Sequence, residues 1–154
     1  MRTPASIAGH PIHPMLVSIP IGLWIFSLVS DLIFRFYAPT EAWNTVALYT
    51  LIGGIVGALL AALPGFVDLL SLPAGPQKTA LIHMGINLTV VALYVVNAWL
   101  RLQGGGGQTP LLLSVLGIGL LVVSGWLGGK MVYIHGVAVS AVEDGVSPQS
   151  RNRR

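Results

Sequence analysis

Four apolar runs alternate with short polar turns along this chain, and each run approaches the ~20 residues that a helix needs to cross the hydrocarbon core of a bilayer. Residues 14–30 carry no charge, and the run continues past Asp31 to about Tyr37; 42–67 is uncharged; 79–100 is broken only by His83; 110–129 is clean. This pattern predicts spans over about 14–37, 42–70, 79–101 and 109–134. The connections carry turn chemistry: Ala38-Pro39-Thr40-Glu41, with Thr40 or Glu41 able to cap the second helix; Leu72 to Lys78, with two prolines; and Gln103 to Thr109, with four consecutive glycines. Short loops make successive helices antiparallel neighbours. The predicted fold is therefore an all-α integral membrane protein, an up-down-up-down bundle of four transmembrane helices. Residues 1–13 form an N-terminal segment, 14–139 the four-helix domain, and 140–154 a polar, basic tail expected to be disordered. The first run reads as a retained helix rather than a secretory signal, because Arg2 is its only upstream basic residue and no small-residue cleavage site ends it.

Composition strengthens this reading. Hydrophobic residues make up 54% of the 154, charged residues 8%, and the mean hydropathy is +0.79, against roughly 25% charged in a soluble domain. With no cysteine, the chain can hold no disulfide, thiolate metal site or cysteine-ligated iron–sulfur cluster. The formal charge of +3 sits mostly at the tails, which suits an anionic membrane surface, and no nucleic-acid motif is present. Six of the eight Lys and Arg residues, namely Arg2, Lys78, Lys130, Arg151, Arg153 and Arg154, fall on the side shared by both termini; Arg35 and Arg101 fall on the other. The positive-inside rule then places both termini in the cytoplasm.

The four histidines change the picture from span-counting to chemistry. His10 and His13 lie in Gly9-His10-Pro11-Ile12-His13-Pro14, each followed by proline, just before the first span. Proline disfavours helix in the residue before it and suits the first helical position, so His13 is expected at an N-cap with Pro14 opening the helix. In the predicted topology His10, His13, Asp68, His83 and His135 all fall at one end of the bundle. Imidazole is the commonest metal ligand and a proton carrier near neutral pH, and histidine within a span tends to face the bundle interior. Asp31, at the other end, has Arg35 one turn later and is expected to pair with it.

Within the third span His83, Asn87, Val90, Tyr94 and Asn97 fall on one face, which must meet other helices or trapped water rather than acyl chains. Gly53, Gly57, Ala61 and Gly65 repeat at every fourth residue of the second span, and Gly117, Gly119, Gly125, Gly128 and Gly129 thin the fourth. Such faces serve close helix packing or leave room for a flat ligand such as a porphyrin.

Several of these stretches carry a resemblance. Gly9 to Val17 with Ile19-Pro20-Ile21-Gly22, Pro64-Gly65-Phe66-Val67-Asp68, His83 with Asn87, and Gly128 to Val137 resemble the landmarks of the bacterial membrane family called domain of unknown function 2231 (DUF2231), over about residues 8 to 139. The resemblance implies four spans and no established activity; fusions of some relatives to Rieske or cytochrome c domains imply a redox setting. The family often has a histidine where this chain has Ser18.

Three functions follow as expectations. The first is a b-type haem or a histidine-bound transition metal at the cytoplasmic end, in a bacterial inner membrane. Its axial candidates are His13, His83 and His135, its metal ligands would come from His10, His13, Asp68, His83 and His135, and Asn87, Tyr94 and Ser18 would support them. The second is a small proton- or ion-coupled transport unit using Asp68, the histidines and the Asn87–Tyr94–Asn97 seam. The third is an assembly subunit whose glycine faces bind partner helices. A homodimer or a redox partner protein suits the first two. No catalytic residues are assigned: no glycine-flanked serine, HExxH motif or phosphate-binding loop occurs, and Pro11 prevents His10 and His13 from sharing a helical face.

Overall fold

A computed structural model describes residues 3–104 and 107–139; the expected disordered tail, 140–154, lies outside the described residues, as does Arg2. A two-stranded antiparallel hairpin, β1 (Ser6–Ile7) and β2 (His10–Pro11), opens the chain. Both residues at its tip, Ala8 (φ 49°) and Gly9 (φ 81°), have positive φ, which is what a tight two-residue hairpin turn demands. A short helix α1 (Ile12–Leu16) runs through Val17 into α2 (Ser18–Phe36), and α3 (Glu41–Leu70), α4 (Ala74–Leu102) and α5 (Thr109–Tyr133) follow. Four helical segments are long and apolar enough to cross a membrane: Ile12–Phe36, Glu41–Leu70, Ala74–Leu102 and Thr109–Tyr133. The protein is an all-α, four-helix membrane bundle.

Two boundaries differ from the sequence reading for a common reason. Pro11, not His13, occupies the N-cap position of α1, so His13 is its second helical residue and Pro14 its third. Similarly, α4 starts at Ala74, before Gly75 and Pro76. Amides in the first turn of a helix have no intrahelical acceptor, so a proline anywhere in that turn forfeits no ladder bond. Thr40 does occupy the N-cap position of α3, although its side chain makes no cap bond.

Neighbouring helices form a square: α2 packs on α3 and α5, and α4 packs on α3 and α5. Helices α2 and α4, which run in the same direction, are therefore diagonal, and their side chains meet at the centre. Trp24, Leu51, Val90, Tyr94 and Ala98 form the buried core there. A second cluster, Leu69, Leu72, Ala80 and Val137, folds the segment after α5 back onto the end of the bundle that carries the hairpin. Many large apolar side chains, such as Leu63, Val122 and Trp126, are exposed, as lipid-facing positions of a membrane bundle must be.

Candidate functional site

His13 reaches α3 across the first helix pair, and its Nδ1 lies 2.8 Å from the carbonyl oxygen of Ala61. His83 reaches α5 in the same way: its Nδ1 lies 2.9 Å from both the carbonyl oxygen and the Oγ of Ser124. A carbonyl can only accept, so in each ring Nδ1 carries the proton and donates, and the neutral imidazole keeps a lone pair at Nε2. The ring centres are 6.4 Å apart and the planes stand at 89°. Both rings are thus fixed in tautomer and position by backbone, and their second nitrogens have no hydrogen-bond partner among the described residues.

A glycine lies beside each ring, but only that beside His13 is required by the space. A Cβ at Gly65, one turn beyond Ala61, would stand 2.7 Å from Nδ1 of His13; at Gly128, one turn beyond Ser124, it would stand 3.6 Å from Cε1 of His83.

The parallel between the two rings extends along the whole bundle. Trp24 Nε1 donates to the carbonyl of Leu51 (3.1 Å) and Ser27 Oγ to that of Ala47 (2.8 Å); Tyr94 Oη donates to the carbonyl of Ser114 (3.4 Å) and Asn97 Nδ2 to that of Pro110 (2.9 Å). Each donor on α4 stands 70 residues after its counterpart on α1–α2, and each acceptor on α5 stands 63 after its counterpart on α3. Glycines obey the same offset, since a Cβ at Gly54 would collide with Trp24 and one at Gly117 with Tyr94. The bundle is two copies of one helical hairpin, related by an approximate two-fold axis along the membrane normal, an arrangement known among membrane transport folds. Equivalent residues meet on that axis: His13 with His83, Trp24 stacked on Tyr94 at 4.3 Å with planes 2° apart, and Asp31 with Arg101. Sequence reasoning missed this repeat because few residues are identical between the halves. The visible signal was the pairing of His13 and Gly65 with His83 and Gly128.

At the far end of the axis Arg101 Nη1 and Nη2 donate to Oδ1 and Oδ2 of Asp31 at 2.8 and 2.6 Å, and Arg101 Nε donates to Asn97 Oδ1. This corrects the expected pairing of Asp31 with Arg35. Asp31 is buried, and a buried carboxylate is best matched by a guanidinium fork from inside the bundle rather than by an exposed residue on its own helix.

The other predicted site residues lie elsewhere. His10 is exposed on β2, its Nδ1 donating to the Ala8 carbonyl at 3.1 Å. Asp68 is buried and accepts the Ala5 N–H at 2.9 Å, which ties the hairpin down to α3. Ser18 donates to the Met15 carbonyl at the exposed junction of α1 and α2. Asn87 donates to the carbonyl of His83 within its own helix, not across to a neighbour. His135 is half-buried in the segment after α5, where its backbone N–H donates to the Lys130 carbonyl. Among the described residues no group of three or more His, Cys, Asp or Glu side chains is placed to hold a metal ion. Of the predicted ligands among the described residues, His13 and His83 come together.

A family model described as "Predicted membrane protein (DUF2231)" matches residues 9–141. The chain belongs to the DUF2231 family. Every element of the repeat, from His13 to Gly128, falls inside the DUF2231 match. No curated protein and no solved structure matches the chain.

Proposed function

We propose that this DUF2231 protein binds a b-type haem between its two helical hairpins, with His13 and His83 as the axial pair through Nε2, and serves in electron transfer. The observation that carries the reading is the His13–His83 pair itself. Two imidazoles that bind one ion from opposite sides through Nε2, at about 2.0–2.1 Å each, have centres about 6.3 Å apart; here they are 6.4 Å apart. Donation from Nδ1 to a backbone carbonyl is the usual way a ligating histidine is oriented and made more basic. The donor count also favours haem. A structural zinc site needs four protein ligands, whereas a porphyrin brings four nitrogens of its own and asks the protein for two.

Lys78 and Lys130 lie at the histidine end, which supports cytoplasmic termini in a bacterial inner membrane. A redox partner protein or a second copy of the chain would dock at that end. A proton relay is less well supported, because the seam of α4 is interrupted at Val90, which is fully buried, and Asn87 bonds only within its helix. The glycine faces at Gly54, Gly65 and Gly117 are taken up by Trp24, His13 and Tyr94 rather than left for an assembly partner.

The test is purification of the full chain from haem-replete cells, followed by a reduced-minus-oxidised spectrum and elemental analysis. The expected result is a low-spin b-type spectrum with stoichiometric iron, lost in His13→Ala and in His83→Ala and kept in His10→Ala and His135→Ala. Absence of a Soret band, or iron undiminished in His83→Ala, would overturn the reading. Copper without porphyrin would replace haem by a two-coordinate metal on the same pair.

A further inference from the structure

We propose that the cleft at the end of the bundle opposite the histidines binds a phosphate group, that of a lipid headgroup or free phosphate, with Arg35 as its principal ligand. The cleft has a volume of about 250 Å³ and lies between the last turns of α2 and α4 and the first turns of α3 and α5. Asp31, Arg35 and Arg101 bring three charges to its lining. Arg101 is already engaged, both carboxylate oxygens of Asp31 taking its two terminal nitrogens and Asn97 its Nε. That pair is internally neutral. Arg35 has no hydrogen-bond or ion-pair partner among the described residues, although it lies one turn from Asp31, so among those residues its guanidinium is left unpaired.

A free guanidinium beside polar groups calls for an oxyanion, and its planar fork matches two oxygens of a phosphate. Gln108 supplies an amide group on the same lining, where the Nδ2 of Asn44 donates to Glu41 Oε2 at 3.3 Å, while Phe34, Leu48 and Leu111 supply an apolar wall of the kind an acyl chain would cover. The level is that of headgroups. Arg35 lies in the last turn of α2, and the exposed aromatic side chains of Phe36, Tyr37 and Trp99 stand at the same end, as interfacial aromatic residues do in membrane proteins.

The purified full chain is examined by native mass spectrometry with added phosphatidylglycerol, and by titration calorimetry with inorganic phosphate. Arg35→Gln and Arg35→Glu are compared with wild type, with His10→Ala as a control. Arg35 is exposed, and unchanged melting curves verify that both variants fold. Loss of a charge-assisted pair corresponds to about tenfold weaker binding, so bound lipid or phosphate affinity should fall by about that factor in Arg35→Gln, further in Arg35→Glu, and not in His10→Ala. Arg35-dependent lipid binding without phosphate binding makes the lipid headgroup the source; Arg35-dependent binding of phosphate itself makes it the free anion. Equal retention of both by wild type and the two Arg35 variants overturns the proposal. Haem content should be unchanged in these variants, so this result and that of the histidine test are independent.

Discussion

Gly65 lies directly beneath the ring of His13, where an added Cβ would meet Nδ1 at 2.7 Å. The same ring donates to the Ala61 carbonyl one turn away, so the histidine is seated on the bare backbone of α3. Its counterpart, Gly128 beneath His83, leaves a gap of ordinary contact size. The two glycines therefore hold equivalent places in the repeat and differ in how much they tolerate.

Gly65→Ala should displace the His13 ring, cost about 1–3 kcal/mol of stability as overpacking does, and reduce cofactor occupancy. Gly128→Ala should leave both nearly unchanged. Thermal denaturation and the absorption spectrum of the two variants, side by side, check this contrast.

Asp31→Asn removes the charge that balances Arg101 within the bundle. Breaking one half of a buried ion pair costs about 3–5 kcal/mol, and the side chains here are only about a tenth exposed. Arg35→Gln, one turn away and exposed, should change stability by less than about 0.5 kcal/mol. Equal losses in the two variants, measured by chemical denaturation in detergent, would restore the local pairing that the helix spacing suggested.

Trp24→Phe keeps an aromatic ring against Tyr94 and deletes the N–H that satisfies Leu51. A single interhelical hydrogen bond of this kind averages about 0.6 kcal/mol in a membrane protein, so a small loss is expected. Gly54→Ala, whose Cβ would collide with the Trp24 indole, should be the more damaging change, and the ordering of the two melting temperatures tests it.

Asp68→Ala should free the N-terminal hairpin without touching the ring of His13. Amide exchange in residues 5–11 should accelerate while the bonds within α3 stay protected. A loss of His13-dependent spectral features in this variant would instead bring Asp68 closer to the imidazoles than its bond to Ala5 implies.

The four spans were legible because the bilayer imposes one length and one polarity on each, and uncharged runs such as 42–67 announce themselves. The seam on α4 was legible for a related reason: Val90, Tyr94 and Asn97 follow helical spacing, and all three are buried. Partner choice was not. Asp31 has a basic residue one turn away, but a carboxylate inside a bundle is matched by what reaches it through space, and Arg101 is 70 residues distant. Asp68 has the chemistry of a ligand, yet an unpaired backbone amide at Ala5 claimed it first. The convergence of His13 with His83 could be expected from topology; that His10 would turn outward on a strand depended on a hairpin only two residues long on each side.

The paired hairpins bear on how the protein is made. The first hairpin carries the aspartate at position 31, and the arginine that pairs with it in the finished bundle is translated 70 residues later. Maturation is therefore not complete with the first two spans. The second hairpin supplies the arginine at one end of the axis and the second imidazole at the other, so that the ion pair and the histidine pair both exist only when the two halves stand together.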